Sequence, residues 1–554
     1  VSDDVIFVDA QLSSDCSGTY SITNRDCSGS DGDAYNTPQE AANIVEPGDT
    51  VYFRGGVYKD MVRDHDIPTM IITRSGSVGN PITFMNYNNE TVIISGADVD
   101  GDPYKDIVIR LGVPPADADN ASGSGVSYVT IYGLIVEEST TYGILICGGS
   151  DRVDYPPTYP SQYVTISHVT ARNVINVVYG PGYGKGISSK GTVLNSVIEY
   201  CEAYGNNGNG IEWGWIQKNF DGDTTVPSLP YSDDDKMSTA HNCAIRNCLS
   251  HDNFDPAYGG DTDGMSLHMA YQTIVEDNVI YNNGDDGLDL YGSIECIARR
   301  NIIFGHPAVI TGNGAGLKFS AGGGGRHQIL ENIAYDNAGY NFEGSDSNHR
   351  YRWYYPSRII HNIAVDGRRG FNYGYSFNYF PVGYELEYFR NNIGLRNIDN
   401  GASRDWRASA LTAVDSNYNY MSAANLATNQ AAGIDLNSYS GTDPNFADDN
   451  PVINTDFLPN WTIEQKLEHI RSQVRTVFNL NESSQLIDAG TIIPGYHCAT
   501  SGAHPGENCR EWYGDAPDIG AYEYSEGVGA TSVSPGFLKT FFTGDIIRKI
   551  IEFF

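Results

Sequence analysis

A repeat limits what this chain can fold into more than any other feature. From about residue 195 to 397 an apolar–polar–polar–Asn–apolar stretch recurs. Each copy is followed by a turn and then by Gly-apolar-X-aromatic or Gly-apolar-X-Leu. Asn278, Asn301, Asn332, Asn362 and Asn392 hold one place in successive copies, at spacings of 23, 31, 30 and 30 residues. Copies of this length stack as a solenoid, each packing only on its neighbours. The expected class is therefore all-β, with residues 1–525 forming one solenoid domain and its caps. Residues 526–554 read as a linker and an amphipathic C-terminal helix, either docked or serving as an anchor or partner contact.

Composition agrees with stacked strands. Among 554 residues there are 61 Gly, 38 Tyr and 20 Phe, with many Ile and Val runs. Aromatic and β-branched residues suit strands, and Gly and Asn supply turns. The formal net charge of −35 argues against nucleic acid as a partner and for solubility, with part of the acid available to a metal. No 20-residue apolar span is present, so no membrane crossing is expected. Cys16 with Cys27 and Cys498 with Cys509 sit in short polar loops and read as two disulfides, which implies a secreted, extracellular protein. Cys201 and Cys248 fall in the Asn column and read as core thiols, or as a pair that neighbouring rungs would let bond. Oligomeric state is left open.

The first rung carries a plug. Thr37 is a good N-cap, Pro38 suits the first helical position and Glu40 follows three after the cap, which predicts a short helix over 37–46. Strands are expected at Val5–Asp9, Thr50–Arg54, Pro81–Phe84, Thr91–Ile94, Tyr128–Tyr132 and Tyr163–Ile166. A further helix is expected near 462–478, and a loop insertion at about 216–240.

Aligning the copies on the Gly that opens each second strand gives Gly210-Ile-Glu-Trp213, Gly264-Met-Ser-Leu267, Gly287-Leu-Asp-Leu290, Gly316-Leu-Lys-Phe319, Gly339-Tyr-Asn-Phe342 and Gly370-Phe-Asn-Tyr373. Strand alternation puts the second and fourth residues inward and the third outward. The outward column then reads Glu212, Ser266, Asp289, Lys318, Asn341, Asn372. The residue before the Gly reads Asn209, Asp263, Asp286, Ala315, Ala338, Arg369. With rungs about 4.8 Å apart, Asp263, Asp285, Asp286, Asp289 and Lys318 share one patch.

Clustered carboxylates repel one another unless they take up protons or a cation. Oxygen-only donors in a partly open cluster suit Ca²⁺, and no His/Cys set of the kind zinc takes is present. Lys318, beside a dication in a shielded groove, is expected to lose its proton readily and act as a general base. A dication next to a base suits β-elimination on a uronic-acid polymer. The ion binds the sugar carboxylate, the base removes the proton at C5, and the bond at C4 breaks. Arg299, Arg326, Arg350, Arg369 and His268 are candidates for holding substrate, the arginines through forked bonds to carboxylates. Trp353, Tyr354, Tyr355 and Tyr373 are candidates for stacking on sugar rings. His306 lies near the patch. Trp213 and Phe319 read as core, and the Asn column as a structural hydrogen-bond ladder.

At Thr262-Asp-Gly264, Asp285-Asp-Gly-Leu-Asp289 and Gly316-Leu-Lys318 the chain resembles polysaccharide lyase family 9, the calcium-dependent pectate lyases. The resemblance implies a right-handed parallel β-helix. It implies Asp263, Asp285, Asp286 and Asp289 as calcium ligands, Lys318 as the base, and an acidic polysaccharide such as polygalacturonate as substrate. It is strong over about 195–400 and weaker over most of 1–525. Two other readings remain. One is a β-helical glycoside hydrolase using paired aspartates, in which Lys318 and Asp289 would lack roles. The other is a non-catalytic glycan-binding solenoid.

Overall fold

The corner that carries the repeated Asn is made by two residues, the first in the left-handed conformation. Asp277, Arg300, Glu331, His361, Asn391 and Tyr418 have φ of 54 to 58°. Each immediately precedes Asn278, Asn301, Asn332, Asn362, Asn392 or Asn419. A left-handed L-residue costs about 1–2 kcal/mol. The Asn that follows offsets this through hydrogen bonds between copies. The Asn301 side-chain oxygen accepts from the backbone N–H and the side-chain amide of Asn278 (3.1 and 2.9 Å). Its own amide donates to Val275 O and Asn332 Oδ1, both at 2.9 Å. The five Asn of the sequence column are buried, so the ladder is structural, as expected.

The computed structural model describes residues 5–59, 64–98, 102–114, 123–149, 159–176, 183–214, 240–257, 260–307, 311–319, 325–344, 357–373, 387–399, 402–403, 405–408, 414–441, 444–447, 452–494, 496–502 and 509–523. Among these residues the strands form three long parallel sheets of 16, 13 and 11 strands, the arrangement typical of a right-handed β-helix. The 216–240 insertion, except Ala240, and the 526–554 tail lie outside the described residues.

The chain divides into two compact units. The first comprises Val1–Thr273, Asn283–Asp285 and Val309–Gly312, and the second Ile274–Asn282, Asp286–Ala308 and Asn313–Phe554. In the first unit the 16-stranded sheet opens with Asp33–Tyr35 and continues through Val5–Val8, Thr50–Phe53, Ile82–Asn86, Ser127–Tyr132 and Ser161–Ser167, these last five close to the expected strands. The helix Pro38–Ile44 is capped by Thr37, whose side chain accepts from Glu40 N at 3.4 Å. Its Gln39 meets the backbone of the strand Met70–Ile72, accepting from Ile71 N (2.7 Å) and donating to Ile71 O (3.1 Å). That strand ends the 11-stranded sheet, so the helix satisfies an edge that would otherwise be open. Cys16–Cys27 is a disulfide, and Cys201 and Cys248 are buried free thiols, as read from the sequence. Cys201 N donates to Cys248 Sγ at 3.4 Å, so sulfur takes the place of the ladder amide here.

In the second unit one coil runs through Ile297–Arg299 on the 16-stranded sheet, turns at Arg300-Asn301, continues as Ile302–Phe304 on the 13-stranded sheet, and reaches Leu317–Lys318 on the 11-stranded sheet. The next coil, starting at Gln328–Leu330, pairs in register: Ile297 with Gln328 and Ile302 with Ile333. The core lies between the sheets. Leu288, Leu317, Phe342 and Phe371 stack inward, the last two with ring centroids 4.8 Å apart. Burying such a side chain stabilises by roughly 1.5–3 kcal/mol. The expected helix near 462–478 is Ile463–Phe478, opened by a capping box between Thr462 and Gln465. It packs Phe478 on Tyr335 (5.4 Å), the last ring of the stack Tyr281–Phe304–Tyr335. A second helix, Ala423–Ala431, was not foreseen. Cys498–Cys509 is the second disulfide.

Candidate active site

The third residue of the Gly-opened tetrads at 210, 264, 287 and 316 lies on the 11-stranded sheet, where Glu212, Ser266 and Asp289 are buried and not outward as expected, and the residue before the Gly sits where the chain enters that sheet. These two columns carry the chemistry in both units. In the first unit the strands Lys185–Lys190, Ile211–Trp213 and Met265–Leu267 are neighbours. Glu212 pairs in register with Ser266, and Ile187 with Ile211. The outer column is therefore Ser188, Glu212, Ser266, and the column before the Gly is Lys185, Asn209, Asp263.

Asp263 is buried, at 4% exposure, and its N–H donates to the Asn209 side-chain oxygen at 2.9 Å. Asp285 is held from the same side. Its N–H donates to Thr262 O (3.3 Å), and its carboxylate accepts from Asp261 N (3.1 Å). Glu212 is fully buried and accepts from Lys185 Nζ (2.5 Å) and Asn209 Nδ2 (2.8 Å). Burial alone would push its carboxyl up. The positive charges of Lys185 and His268 and the hydrogen bonds outweigh that and hold it below the usual carboxylate range. His268 is half-buried and follows the strand Met265–Leu267.

In the second unit Asp289 and Lys318 are Cα partners on adjacent strands. The Lys318 amine lies 3.0 Å from Asp286 Oδ2 and 3.4 Å from Asp289 Oδ2. Asp286 is fully buried, and its other oxygen accepts from Ala315 N at 3.2 Å. Lys318 keeps about 20% of its side chain exposed, against 1% for Asp286 and 8% for Asp289. The base candidate is thus reachable while the acids are shielded. Gly287 makes this packing possible: a Cβ there would lie 2.3 Å from Ile303 Cγ2 and 2.7 Å from His306 Nε2. His306 is buried behind the strand.

Asp263, Asp285 and Asp286 each offer a carboxylate oxygen, and these oxygens all lie within 4.8 Å of one another. Two of the three residues are buried. The donor set is oxygen alone, which fits a hard cation such as Ca²⁺ and not a thiolate- or imidazole-seeking metal.

No family model matches the chain. Among curated proteins it resembles the uncharacterized protein YwoF of Bacillus subtilis (strain 168), 33% identical over 121 residues. That match spans 22% of this chain and 23% of YwoF. Among solved structures it resembles pectate lyase Pel9A, with a TM-score of 0.51 at 17% identity over 95% of this chain and 98% of that one. A mannuronic acid specific polysaccharide family 6 lyase from human gut microbiota aligns at a TM-score of 0.45 and 14% identity, over 78% of this chain and 95% of that one. The likeness to Pel9A establishes the parallel β-helix fold.

The remaining candidates are scattered. Arg299 lies on the 16-stranded sheet and pairs with Glu276 at 2.6 Å. Arg326 is exposed and pairs with Glu295 at 3.1 Å. Neither is on the sheet that carries Lys318. Arg369 lies in the column before the Gly, with its guanidinium 4.8 Å from the centre of the Tyr340 ring. Arg350, Trp353, Tyr354 and Tyr355 lie outside the described residues. Trp213 and Phe319 are core, as expected.

One copy of the repeat is corrected. The residue beside Lys318 on the next strand is Glu343, not Asn341. Gly316 N donates to Tyr340 O, so Asn341 takes the place expected for Gly339, and Tyr340 takes that of Ala338. The reason is the turn ladder. The Asn341 amide donates to Val365 O (3.0 Å) and Asn397 Oδ1 (2.9 Å), and its oxygen accepts from Asn337 (2.8 Å). Satisfying that buried amide sets the register. The sequence alignment also missed Lys185, although Gly186-Ile-Ser follows the same Gly-apolar-X pattern one copy earlier.

Proposed function

We propose that the protein is an extracellular, calcium-dependent lyase that cleaves a uronic-acid polysaccharide by β-elimination. The convergence of Asp263, Asp285 and Asp286 beside a partly exposed Lys318 carries this reading. Asp289, on the strand that Asp285 and Asp286 lead into, stands outside that group of three beside Lys318 and is proposed as the fourth ligand. A Ca²⁺ bound there would hold the sugar carboxylate and make the neighbouring C5 proton more acidic.

The chain's own groups then divide the work. Asp286 and Asp289 hold the Lys318 amine at the rim, where a sugar ring lying along the sheet would present C5. A cation held by Asp286 and Asp289 would take those oxygens from the amine and leave Lys318 to serve as the proton acceptor. Lys318 takes the proton from C5, the C4–C5 double bond forms, and the C4–O bond breaks with its electron pair leaving on oxygen. Asn209 and Thr262, bonded to the backbone of Asp263 and Asp285, keep those two acids in place.

Incubation with polygalacturonate and other uronic polymers tests this. Product absorbing in the near ultraviolet, lost on chelation and absent with Lys318→Ala, is the expected result. Cleavage without unsaturated product would point to hydrolysis. Binding without any cleavage would point to a glycan-binding solenoid.

A further inference from the structure

We infer that Arg110 and Lys190 form a second sugar subsite, which takes the carboxylate of a uronate residue about two to four sugars from the proposed metal site. The inference rests on the reading of the substrate as a uronic-acid polymer and deepens it.

The first observation is register. The strands Lys105–Leu111, Ser139–Cys147 and Lys185–Lys190 are neighbours on the 11-stranded sheet, ahead of Ile211–Trp213 and Met265–Leu267. Arg110 is the Cα partner of Leu145, and Leu145 of Ser188. Arg110 therefore continues the column of Ser188, Glu212 and Ser266. Lys190 is the Cα partner of Cys147. Leu145 and Cys147 alternate onto the same face, so Arg110 and Lys190 flank one strand on that face. Lys190 is on the second strand before Met265–Leu267, and Arg110 on the fourth. At about 4.8 Å per rung these strands lie about 10 and 19 Å from the one that Asp263 leads into. A 1,4-linked pyranose advances its chain by a similar length, so a polymer lying along this sheet meets about one rung per sugar.

The second observation is unanswered charge. The chain carries 69 Asp and Glu against 34 Lys and Arg, so its cations readily find partners. Arg25, Arg172, Arg246 and Arg299 each hold a carboxylate at 2.5 to 2.7 Å. Among the described residues neither Arg110 nor Lys190 has a hydrogen bond or an ion pair, and the Arg110 Nε is buried without an acceptor. Both side chains are half-buried, so a ligand can reach them. The strand between them presents Leu145 and Cys147, which join Tyr142 in a buried apolar cluster. Burial pushes the Cys147 thiol up to about 12, although both cations act to lower it, so the thiol stays neutral. Two cations against an apolar surface are poorly screened, and a buried donor calls for an acceptor. A uronate carboxylate supplies the charge and the fork acceptor together.

Steady-state kinetics on oligomers of the uronic polymer identified by the lyase assay test the subsite. Arg110→Gln with Lys190→Gln should raise KM for the hexamer about tenfold or more, with kcat within about twofold. KM for the shortest oligomer cleaved should change less than about twofold, because that oligomer ends short of Arg110. Arg110→Lys with Lys190→Arg keeps both charges and should recover most of the loss. The glutamine pair removes two unpaired like charges, so the melting temperature should stay level or rise. An equal rise in KM at both lengths, an unchanged KM for the hexamer, or a lower melting temperature overturns the subsite and leaves the lyase reading standing. Failure of the unaltered protein to cleave any uronic polymer overturns both.

Discussion

Asp289 and Lys318 face each other across one pair of parallel strands, and the lysine amine reaches back to the Asp289 carboxylate at 3.4 Å and to Asp286 at 3.0 Å. An amine held at the rim by two shielded acids is placed for proton transfer. Removing it with Lys318→Ala should lower turnover on a uronic polymer by about 10²–10⁴-fold, the usual worth of a positioned base. Because it leaves the buried Asp286 and Asp289 without their counter-charge, the substitution should also destabilise the protein unless a cation replaces the amine. The rate of ultraviolet absorbance increase and a parallel melting curve measure the two effects, and turnover within tenfold of the unaltered protein would remove Lys318 from the base role.

Calcium should raise the melting temperature. At a concentration a hundred times its Kd, a ligand that binds only the folded state adds about 2.7 kcal/mol. Asp263→Asn and Asp286→Asn should each abolish most of that increment, because each replaces a buried carboxylate of the cluster by a neutral amide. Differential scanning calorimetry with calcium and with a chelator reads this without any substrate. A calcium increment that survives both substitutions would place the ion elsewhere.

The ladder should be costly to break. Asn332 accepts from Asn301 N (3.0 Å) and donates to Ala298 O (2.8 Å) and Asn362 Oδ1 (3.0 Å), all buried. Asn332→Ala orphans these groups, at about 1–3 kcal/mol each. A denaturant titration should show about 2–5 kcal/mol of destabilisation. A change under 1 kcal/mol would mean the corner does not depend on its amide.

Acid should loosen the C-terminal part of the second unit. His361 Nδ1 lies 2.8 Å from Gly520 O, its Nε2 lies 2.9 Å from His497 Nε2, and His497 Nδ1 accepts from Ile493 N. Burial, reinforced by the Arg510 charge, pushes His497 down to about 2 and His361 well below its ordinary value. Arg510 itself is held by Glu331 and Glu523. Both rings are neutral when folded and take up protons when unfolded. Their contribution is therefore complete above the unfolded value of about 6.5 and falls as pH drops below it. The slope should be about 1.4 kcal/mol per pH unit for each ring. His497→Asn should flatten the stability profile between pH 6 and 4, as read by denaturant titration. An unchanged slope would mean that His497 is not held neutral in the fold.

Local rules made much of this legible beforehand. The helix at Pro38–Ile44 followed from Thr37, Pro38 and Glu40, which are read within one turn. The disulfides followed from short loops. The Asp289–Lys318 adjacency followed because Gly287-Leu-Asp and Gly316-Leu-Lys repeat residue for residue. Arg299 and Arg326 misled because nearness along the chain places residues on the same coil, while the sheet decides which face they share.

The chain by itself determined the coil, the neighbouring acids and the lysine next to them, since a periodic pattern carries its own register wherever identities repeat; the burial of those acids came only with the structure. Tertiary structure alone decided that Glu343 stands beside Lys318, that Tyr340 joins the column of Asp286, and that Lys185 neutralises Glu212. Where identities drift, buried amides and charges choose the register that satisfies them, and their partners lie on other coils, 24 to 56 residues away.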